Sequence, residues 1–287
     1  MTERVLFRAA GGLTLAASVV GPDDGMPVLL AHGGGQTRRA WRRVSVRLAG
    51  SGYRAIALDL RGHGESPWSL DGKYDIEDFA VDLISVAAVL GRKPAMIGAS
   101  LGGLAGLIAE GRLAPGTFAS LTLVDITPKM ELAGVTRVLG FMSQHARDGF
   151  ASPEDAARAV AAYLPHREKP TNAAGLSSYL RKGDDDRFYW HWDPAFIDNI
   201  TRRRADPHAM LSAPNELTEA ASRLTLPVHL VRGGSSDLVS PEGAVKFLEL
   251  VPGACFSDIA GATHMVAGDD NDAFGDAILR FLADTHG

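Results

Sequence analysis

The sequence predicts one large α/β domain built on a mostly parallel sheet of eight strands, with a helical segment inserted after the sixth strand. Three observations support this prediction. Short apolar runs alternate with helical patterns along most of the 287 residues. One apolar run, at 95–97, passes through a tight glycine turn directly into a helix of small residues. From 127 to 224, by contrast, no run typical of a strand occurs.

Each strand is predicted from a short apolar run that is bounded by turn residues. The first two runs are joined by Gly11-Gly12, which indicates a hairpin. The run at 28–31 is continuously apolar, as is typical of a strand covered on both faces. The predicted strands are 5–9, 13–19, 28–31, 53–58, 95–97, 121–124, 227–231 and 254–259.

Helices are predicted where apolar residues recur at helical spacing. Phe79, Leu83 and Val86 share one face of a helix over 76–90, which Gly91 is placed to end. Further helices are predicted after Trp41, after Ser100, at 241–251 and at 271–283.

Residues 127–225, the inserted segment, contain helical patches and loops rich in charge and proline. We expect this segment to divide the core domain into an N-terminal part, 1–126, and a C-terminal part, 226–287.

The inserted segment carries a dense aromatic patch at 188–192. Tyr189, Trp190 and Trp192 are predicted to line an apolar substrate pocket. The alternative, that these side chains only attach the segment to the core, stays open at this point.

Composition excludes several classes of function. The net charge of −5 argues against nucleic acid as a partner, and no apolar run approaches the length of a membrane span. The N-terminus lacks a secretion signal, and the single cysteine, Cys255, allows no internal disulfide, so we expect a cytoplasmic protein. Cys255 lies in an apolar run and is predicted to be buried.

Cofactor motifs are also missing from the sequence. The first strand–helix junction has no G-x-G-x-x-G, and neither a phosphate-binding loop nor metal-ligand spacing occurs. We therefore expect no cofactor and no metal, and a small molecule as the substrate.

The candidate nucleophile is Ser100, within Gly98-Ala99-Ser100-Leu101-Gly102. This G-x-S-x-G pattern follows a strand and precedes a helix, which is the setting in which it exposes a reactive serine. Glycines on both sides allow strand and helix to approach closely.

A serine needs a base, and the base needs an orienting acid. In a parallel sheet such groups follow the carboxyl ends of strands. His264 follows the last predicted strand and Asp237 follows the one before it, so the chain order is Ser…Asp…His. Asp125 also ends a strand and remains the alternative acid.

Three other histidines are assigned no catalytic role. We expect His32 to hold the glycine run that follows it, and His63, in a Gly-His-Gly turn, to be exposed. His191, in the inserted segment, is expected to be a surface or packing residue.

An oxyanion hole is predicted from two backbone amides. One is that of Leu101, at the start of the helix after Ser100. The other is that of Gly34, in the glycine run after a strand, where no side chain obstructs an inward-turned amide.

Five stretches together resemble the α/β-hydrolase superfamily over nearly the whole chain. They are 32–35 (HGGG), 59–66 (DLRGHGES), 98–103 (GASLGG), 237–241 (DLVSP) and 261–264 (GATH). The 59–66 stretch is similar to that of the capped esterases, epoxide hydrolases, dehalogenases and cofactor-free perhydrolases. The resemblance implies the α/β-hydrolase fold, with the inserted segment as a helical lid.

The resemblance also implies hydrolysis of a small or medium carboxylic ester or lactone by Ser100, His264 and Asp237. Epoxide hydrolases and dehalogenases carry aspartate where this chain has Ser100, which argues against those activities. The alternatives are a carbon–carbon bond hydrolase or lyase, although Gln36 stands where those enzymes often have proline, and a perhydrolase. An alternative from another class is a non-catalytic, ligand-binding relative.

Overall fold

The structure of the protein is a computed structural model that describes residues 2–163, 176, 179–262 and 272–287. Within these residues ten strands form two sheets, and the larger sheet contains all eight predicted strands. The strands are β1 Glu3–Arg8, β2 Thr14–Val20, β3 Pro27–Ala31, β4 Arg54–Leu58, β5 Ala95–Ala99, β6 Ser120–Val124, β7 Leu180–Lys182, β8 Phe188–Trp190, β9 Val228–Gly233 and β10 Cys255–Ile259.

The large sheet has the strand order β1-β2-β4-β3-β5-β6-β9-β10. β2 is antiparallel to both of its neighbours, and every other neighbouring pair is parallel. Gly98 of β5 is opposite Ala31 of β3, and Ala99 of β5 is opposite Val124 of β6. Because these parallel strands end together, the loops after β3, β5, β6 and β9 meet at one edge of the sheet.

Helices cover both faces of the sheet. Trp41 and Leu48 pack with Phe274 and Ile278 on one face, whereas Phe79 and the inserted segment belong to the core on the other. The α-helices in the described part of the chain are α1 Arg42–Gly50, α2 Ile76–Ala88, α3 Leu101–Ile108, α4 Leu132–Ser143, α5 Pro153–Tyr163, α6 Pro194–Ala205, α7 Pro207–Ser222, α8 Pro241–Leu250 and α9 Asp272–His286.

The inserted segment differs from the expectation in one respect. It contains α4 to α7, as the helical patches predict, but also the antiparallel pair β7 and β8, where no strand was expected. Each of these strands has three residues, which is too short to produce a recognisable pattern of alternation.

Cys255 is exposed, which contradicts the prediction of a buried thiol. The reason is its position at the start of β10, the edge strand of the sheet, where Phe256 is exposed as well. No helix among the described residues has both the length and the apolar character needed to cross a membrane.

Candidate active site

Ser100 lies in a sharp turn between β5 and α3. Its φ of 45° and ψ of −114° are unfavourable for a residue with a side chain. Its amide donates to the carbonyl of Val124 in β6 at 3.2 Å. A Cβ atom on Gly98 would overlap the backbone of α3, and one on Gly102 would overlap the carbonyl of Ala31. The strand, turn and helix therefore meet as closely as the motif predicts.

The glycine loop, residues 33–35, follows β3 and adjoins Ser100. A Cβ atom added to Gly33 would lie 3.3 Å from Ser100 Cβ. Leu101 is the first residue of α3, where a backbone amide has no acceptor within the helix. The two segments that adjoin Ser100 thus carry both candidate oxyanion-hole amides, those of Gly34 and Leu101.

The amides of the glycine loop differ in their hydrogen bonds. Gly33 donates to Gln36 Oε1 at 3.0 Å, and Gly35 donates to His63 Nε2 at 3.1 Å. Among the described residues, the backbone N–H of Gly34 donates to no acceptor. That amide can therefore donate to an anion beside the nucleophile.

Two carboxylates occupy the same edge of the sheet in different surroundings. Asp237 Oδ2 lies 2.6 Å from the guanidinium of Arg137 in α4, and its side chain is 38% exposed. Asp125 is fully buried, and it accepts hydrogen bonds from the Gly233 amide at 2.9 Å and the Ser236 hydroxyl at 2.6 Å. Asp125 therefore also anchors the loop that carries Asp237.

His264, the predicted base, lies outside the described residues. Ala262 is the last described residue before it, and its carbonyl accepts the amide of Ser235 at 2.8 Å. Ser235 is two positions before Asp237. The chain that leads to His264 therefore starts beside the loop of the candidate acid.

The three aromatic residues predicted for the pocket separate into two groups. Trp190 and Trp192 are buried and stacked, with ring centroids 4.8 Å apart. A Cβ atom on Gly35 would lie 3.4 Å from the Trp192 ring. Tyr189 lies on the face of β8 opposite Trp190, because neighbouring residues of a strand face opposite sides. Its hydroxyl donates to Asp185 at 2.7 Å.

Two further side chains cover the glycine loop and carry no motif that marks them. A Cβ atom on Gly34 would lie 3.4 Å from the ring of Phe196 in α6 and 3.7 Å from Cε of Met142 in α4. Both side chains are buried. Their position depends on how the inserted segment packs on the core, which local sequence does not encode.

The histidines near the glycine loop correct two expectations. His32 holds the loop as predicted, since its Nδ1–H donates to the Gly33 carbonyl at 2.8 Å. His63 was expected to be exposed, but it is fully buried because His191 and Phe196 of the inserted segment cover it. His191 is buried as well and accepts a backbone amide, so it is more than a packing residue.

These buried histidines are neutral at neutral pH. Burial removes water from the charged form and lowers the pKa of His63 to about 4 and that of His191 to about 3. Burial also places the pKa of His32 well below its usual value, and the neighbouring His63 lowers it further. In the described part of the chain, no group of three or more metal-ligating side chains is placed to hold an ion.

Comparison with known proteins gives one consistent result. The model of the alpha/beta hydrolase family matches residues 28–277. An esterase of Mycobacterium tuberculosis is 32% identical over 226 residues, which cover 76% of this chain and 70% of that protein. A non-heme chloroperoxidase of Streptomyces lividans is 27% identical over 277 residues, which cover 91% of this chain and 93% of that protein.

Among solved structures, the crystal structure of E-2-(acetamidomethylene)succinate hydrolase is similar in fold. It superposes with a TM-score of 0.80 at 24% identity, and the match covers 99% of this chain and all of the other.

Proposed function

The chain belongs to the α/β hydrolase family, and on this premise we propose that it is a serine hydrolase of small or medium carboxylic esters or lactones. The observation that carries the proposal is the strained Ser100 turn beside the glycine loop, where the Gly34 amide has no acceptor among the described residues. Such a turn serves to expose a nucleophile next to hydrogen-bond donors for an oxyanion. The similarity to an esterase supports the choice of an ester bond.

In the proposed reaction His264 removes the proton of the Ser100 hydroxyl, and the oxygen attacks the ester carbonyl. The amides of Gly34 and Leu101 stabilise the negative charge on the tetrahedral intermediate. Collapse of this intermediate transfers the acyl group to Ser100, and the alcohol leaves with the proton from His264. Water, deprotonated by His264, then releases the acid and restores the serine.

Asp237 is the proposed acid, which orients His264 and stabilises its charged form. The chain from Ala262 toward His264 starts at the Asp237 loop, which supports this role. Asp125 is the second candidate, favoured by its complete burial and by its hydrogen bonds from Gly233 at the end of β9 and from Ser236 in the loop that follows.

The inserted segment is the proposed lid, and its apolar side chains would form the acyl pocket. Met142, Phe196 and Trp192 cover the glycine loop, with Trp190 stacked on the last of them. An apolar cover favours an uncharged acyl group, because burying a carboxylate there would require a paired cation. In this proposal Tyr189 does not line the pocket and instead belongs to the antiparallel pair β7 and β8.

A screen of p-nitrophenyl esters, thioesters and lactones tests the proposal, together with labelling by a fluorophosphonate probe. We expect ester turnover and labelling at Ser100, both abolished in Ser100→Ala and retained in Ser85→Ala, a control on α2. Turnover that survives in Ser100→Ala would contradict the assignment of the nucleophile. A wild-type protein with neither labelling nor turnover would instead be a ligand-binding relative.

A perhydrolase is the second candidate function, because one of the similar proteins is a non-heme chloroperoxidase. With acetic acid as the substrate, the Ser100 oxygen displaces water from the carboxyl group to form the acyl ester. Hydrogen peroxide then attacks this ester in place of water, the bond between the acyl carbon and the Ser100 oxygen breaks, and the peracid leaves while the serine hydroxyl is restored. Peracid formation from acetate and hydrogen peroxide, measured beside ester hydrolysis, distinguishes the two functions. A higher rate of peracid formation than of ester hydrolysis would favour the perhydrolase.

A further inference from the structure

Three buried histidines that the proposed reaction does not use lie next to the glycine loop. His32 follows β3, His63 follows β4, and His191 belongs to the inserted segment. The ring centroids of His32 and His63 are 5.2 Å apart, and those of His63 and His191 are 6.0 Å apart. We call these three residues the histidine brace.

Every ring nitrogen of the brace is hydrogen-bonded to the backbone. One nitrogen of each ring accepts an amide: His32 Nε2 from Leu60 at 3.0 Å, His63 Nε2 from Gly35 at 3.1 Å, and His191 Nδ1 from Gly64 at 2.9 Å. A nitrogen that accepts an N–H bears no proton, so the other nitrogen carries it. Those nitrogens donate to the carbonyls of Gly33 at 2.8 Å, Arg61 at 2.9 Å and Gly35 at 3.2 Å, respectively.

The first contact sets the direction of the oxyanion-hole amide. The Gly33 carbonyl and the Gly34 amide belong to one planar peptide unit. His32 and the amide of Gln36 both donate to that carbonyl, at 2.8 and 3.1 Å. Fixing the oxygen of this unit fixes the opposite N–H, which is the one without an acceptor in the described part of the chain.

The next two peptide units are fixed by the other members of the brace. The amide of Gly35 donates to His63, and the carbonyl of Gly35 accepts from His191. Gly35 has a φ of 76°, which glycine adopts freely because it has no side chain. Its hydrogen bonds must therefore hold the backbone in this conformation. Three successive peptide planes are therefore each held by a different histidine.

His191 is the only member of the brace that the inserted segment supplies. Beside it, the Asp193 amide donates to the Gly62 carbonyl at 2.9 Å, and the Tyr74 hydroxyl donates to Asp193 Oδ2 at 2.6 Å. These bonds join the segment to the loop after β4, where Gly64 also donates to His191. The segment is thus fastened to the core directly beside the glycine loop.

We propose that His191 is a positioning residue of the oxyanion hole, through which docking of the inserted segment orients the Gly34 amide. The inference rests on the proposed function and extends it, since the segment then controls the rate of the chemical step as well as the choice of substrate. If the segment shifts, the Gly35 carbonyl loses its histidine donor and the glycine loop loses one of its three histidine contacts.

The test compares three variants of the whole protein. His191→Phe keeps an aromatic ring but removes both hydrogen bonds, whereas the amide of Gln in His191→Gln can still donate to the Gly35 carbonyl. The matched control is His229→Phe, which replaces another buried histidine, hydrogen-bonded to Ser257 in β10, away from the glycine loop. Ester turnover is measured at pH 8, where the brace is neutral.

We expect kcat to fall about 10²-fold in His191→Phe with little change in KM, because a misdirected donor weakens the transition state and not substrate binding. His191→Gln should recover about tenfold of that loss. His229→Phe should retain the wild-type kcat. An unchanged kcat in His191→Phe, or a loss that appears in KM alone, would overturn the proposal.

Amide hydrogen exchange provides a second measurement that does not depend on activity. The hydrogen-bonded amides of Gly33, Gly35 and Gln36 are expected to exchange at least about tenfold faster in His191→Phe than in wild type or His229→Phe. Unchanged protection would overturn the positioning role even in an active enzyme. If the wild-type protein neither turns over esters nor reacts with the fluorophosphonate, the proposed function fails, while the exchange rates still decide the role of the brace.

Discussion

At the level of single residues, Ser100 has a backbone conformation that suits glycine better than any residue with a side chain. Its φ of 45° brings Cβ too close to the following backbone. We expect Ser100→Gly to be more stable than Ser100→Ala by about 1 kcal/mol, because only glycine relieves the strain. Urea denaturation of the two inactive variants measures this difference.

The control for this prediction is the same pair of substitutions at Ser85 in the interior of α2. There the order should be reversed, with alanine more stable than glycine by about 1 kcal/mol, because helix propensity decides. A Ser100→Ala variant that equals or exceeds Ser100→Gly in stability would mean that the turn is not strained in solution.

The identity of the acid is a second prediction at this scale. Asp237→Asn should lower kcat by about 10³–10⁴-fold, because the amide cannot stabilise a charged His264 or hold it in the reactive tautomer. Asp125→Asn should lower the melting temperature while kcat changes by less than about tenfold, since it disturbs the bonds to Gly233 and Ser236.

The two variants are compared by steady-state kinetics and thermal unfolding. If Asp125→Asn shows the larger loss of kcat, the buried carboxylate after β6 is the acid. The close pairing of Asp237 with Arg137 would then be a bond between the inserted segment and the core.

The site residues that could be predicted from sequence are those whose type is fixed by close contacts within their own stretch of chain. Gly98 and Gly102 are required because the strand and helix touch there, and this requirement is local and visible in sequence. The burial of His63 was not predictable, because the residues that cover it lie more than a hundred positions further along the chain. A Gly-His-Gly turn by itself has the appearance of an exposed loop.

At the level of elements, the seating of α4 on the core depends on one glycine. A Cβ atom on Gly134 would overlap the backbone carbonyl of Asp237, whereas one on Gly140 would meet nothing within 4 Å. We expect Gly134→Ala to lower the free energy of unfolding by about 1–3 kcal/mol, as overpacking does. It should also lower kcat, because α4 carries Met142 and Arg137 to the site.

Gly140→Ala is the matched control, with the same substitution in the same helix. It should be neutral or more stable by up to about 1 kcal/mol, because alanine is the better helix former and the space is open. Equal effects of the two substitutions, measured by urea denaturation, would show that α4 does not rest against the Asp237 loop.

Elements were predictable in proportion to their length and regularity. The eight strands of the large sheet are recognisable because each contains a short, mainly apolar run between turn residues. β7 and β8 have three residues each, and their pairing depends on contacts between separate parts of the inserted segment. The exposure of Cys255 depends on its edge position in the sheet, which the local apolar run does not reveal.

For the whole molecule, the candidate site depends on contacts between distant parts of the chain. The Gly64 amide and His191 are 127 positions apart, and Tyr74 and Asp193 are 119 apart. Chain order and strand ends predicted that Ser100 and the acids would meet at one edge of the sheet. They could not predict the docking of the inserted segment on the glycine loop, because no repeating pattern encodes that interface.

The stability of the whole molecule is expected to fall as the pH drops below about 6.5. Burial lowers the pKa of His63 and His229 to about 4 and that of His191 to about 3. In this window the unfolded chain binds protons that the folded protein does not, so the free energy of unfolding decreases with falling pH. Each such histidine contributes about 1.4 kcal/mol per pH unit until its folded pKa is reached.

His229→Phe isolates one of these contributions. Burial lowers the pKa of His229, whose ring faces Phe281 and Ser257, and within the described part of the chain no neighbouring charge shifts it further. Between pH 6 and 5 the variant should lose about 1.4 kcal/mol less per pH unit than the wild type, measured by urea denaturation at each pH. Asp59 and Asp82, whose pKa values are raised by burial, act in the opposite direction in both proteins and cancel in the comparison. If the free energy of unfolding changes equally with pH in the two proteins, His229 takes up its proton in the folded state as readily as in the unfolded chain. Burial of His229 would then not contribute to the loss of stability in acid.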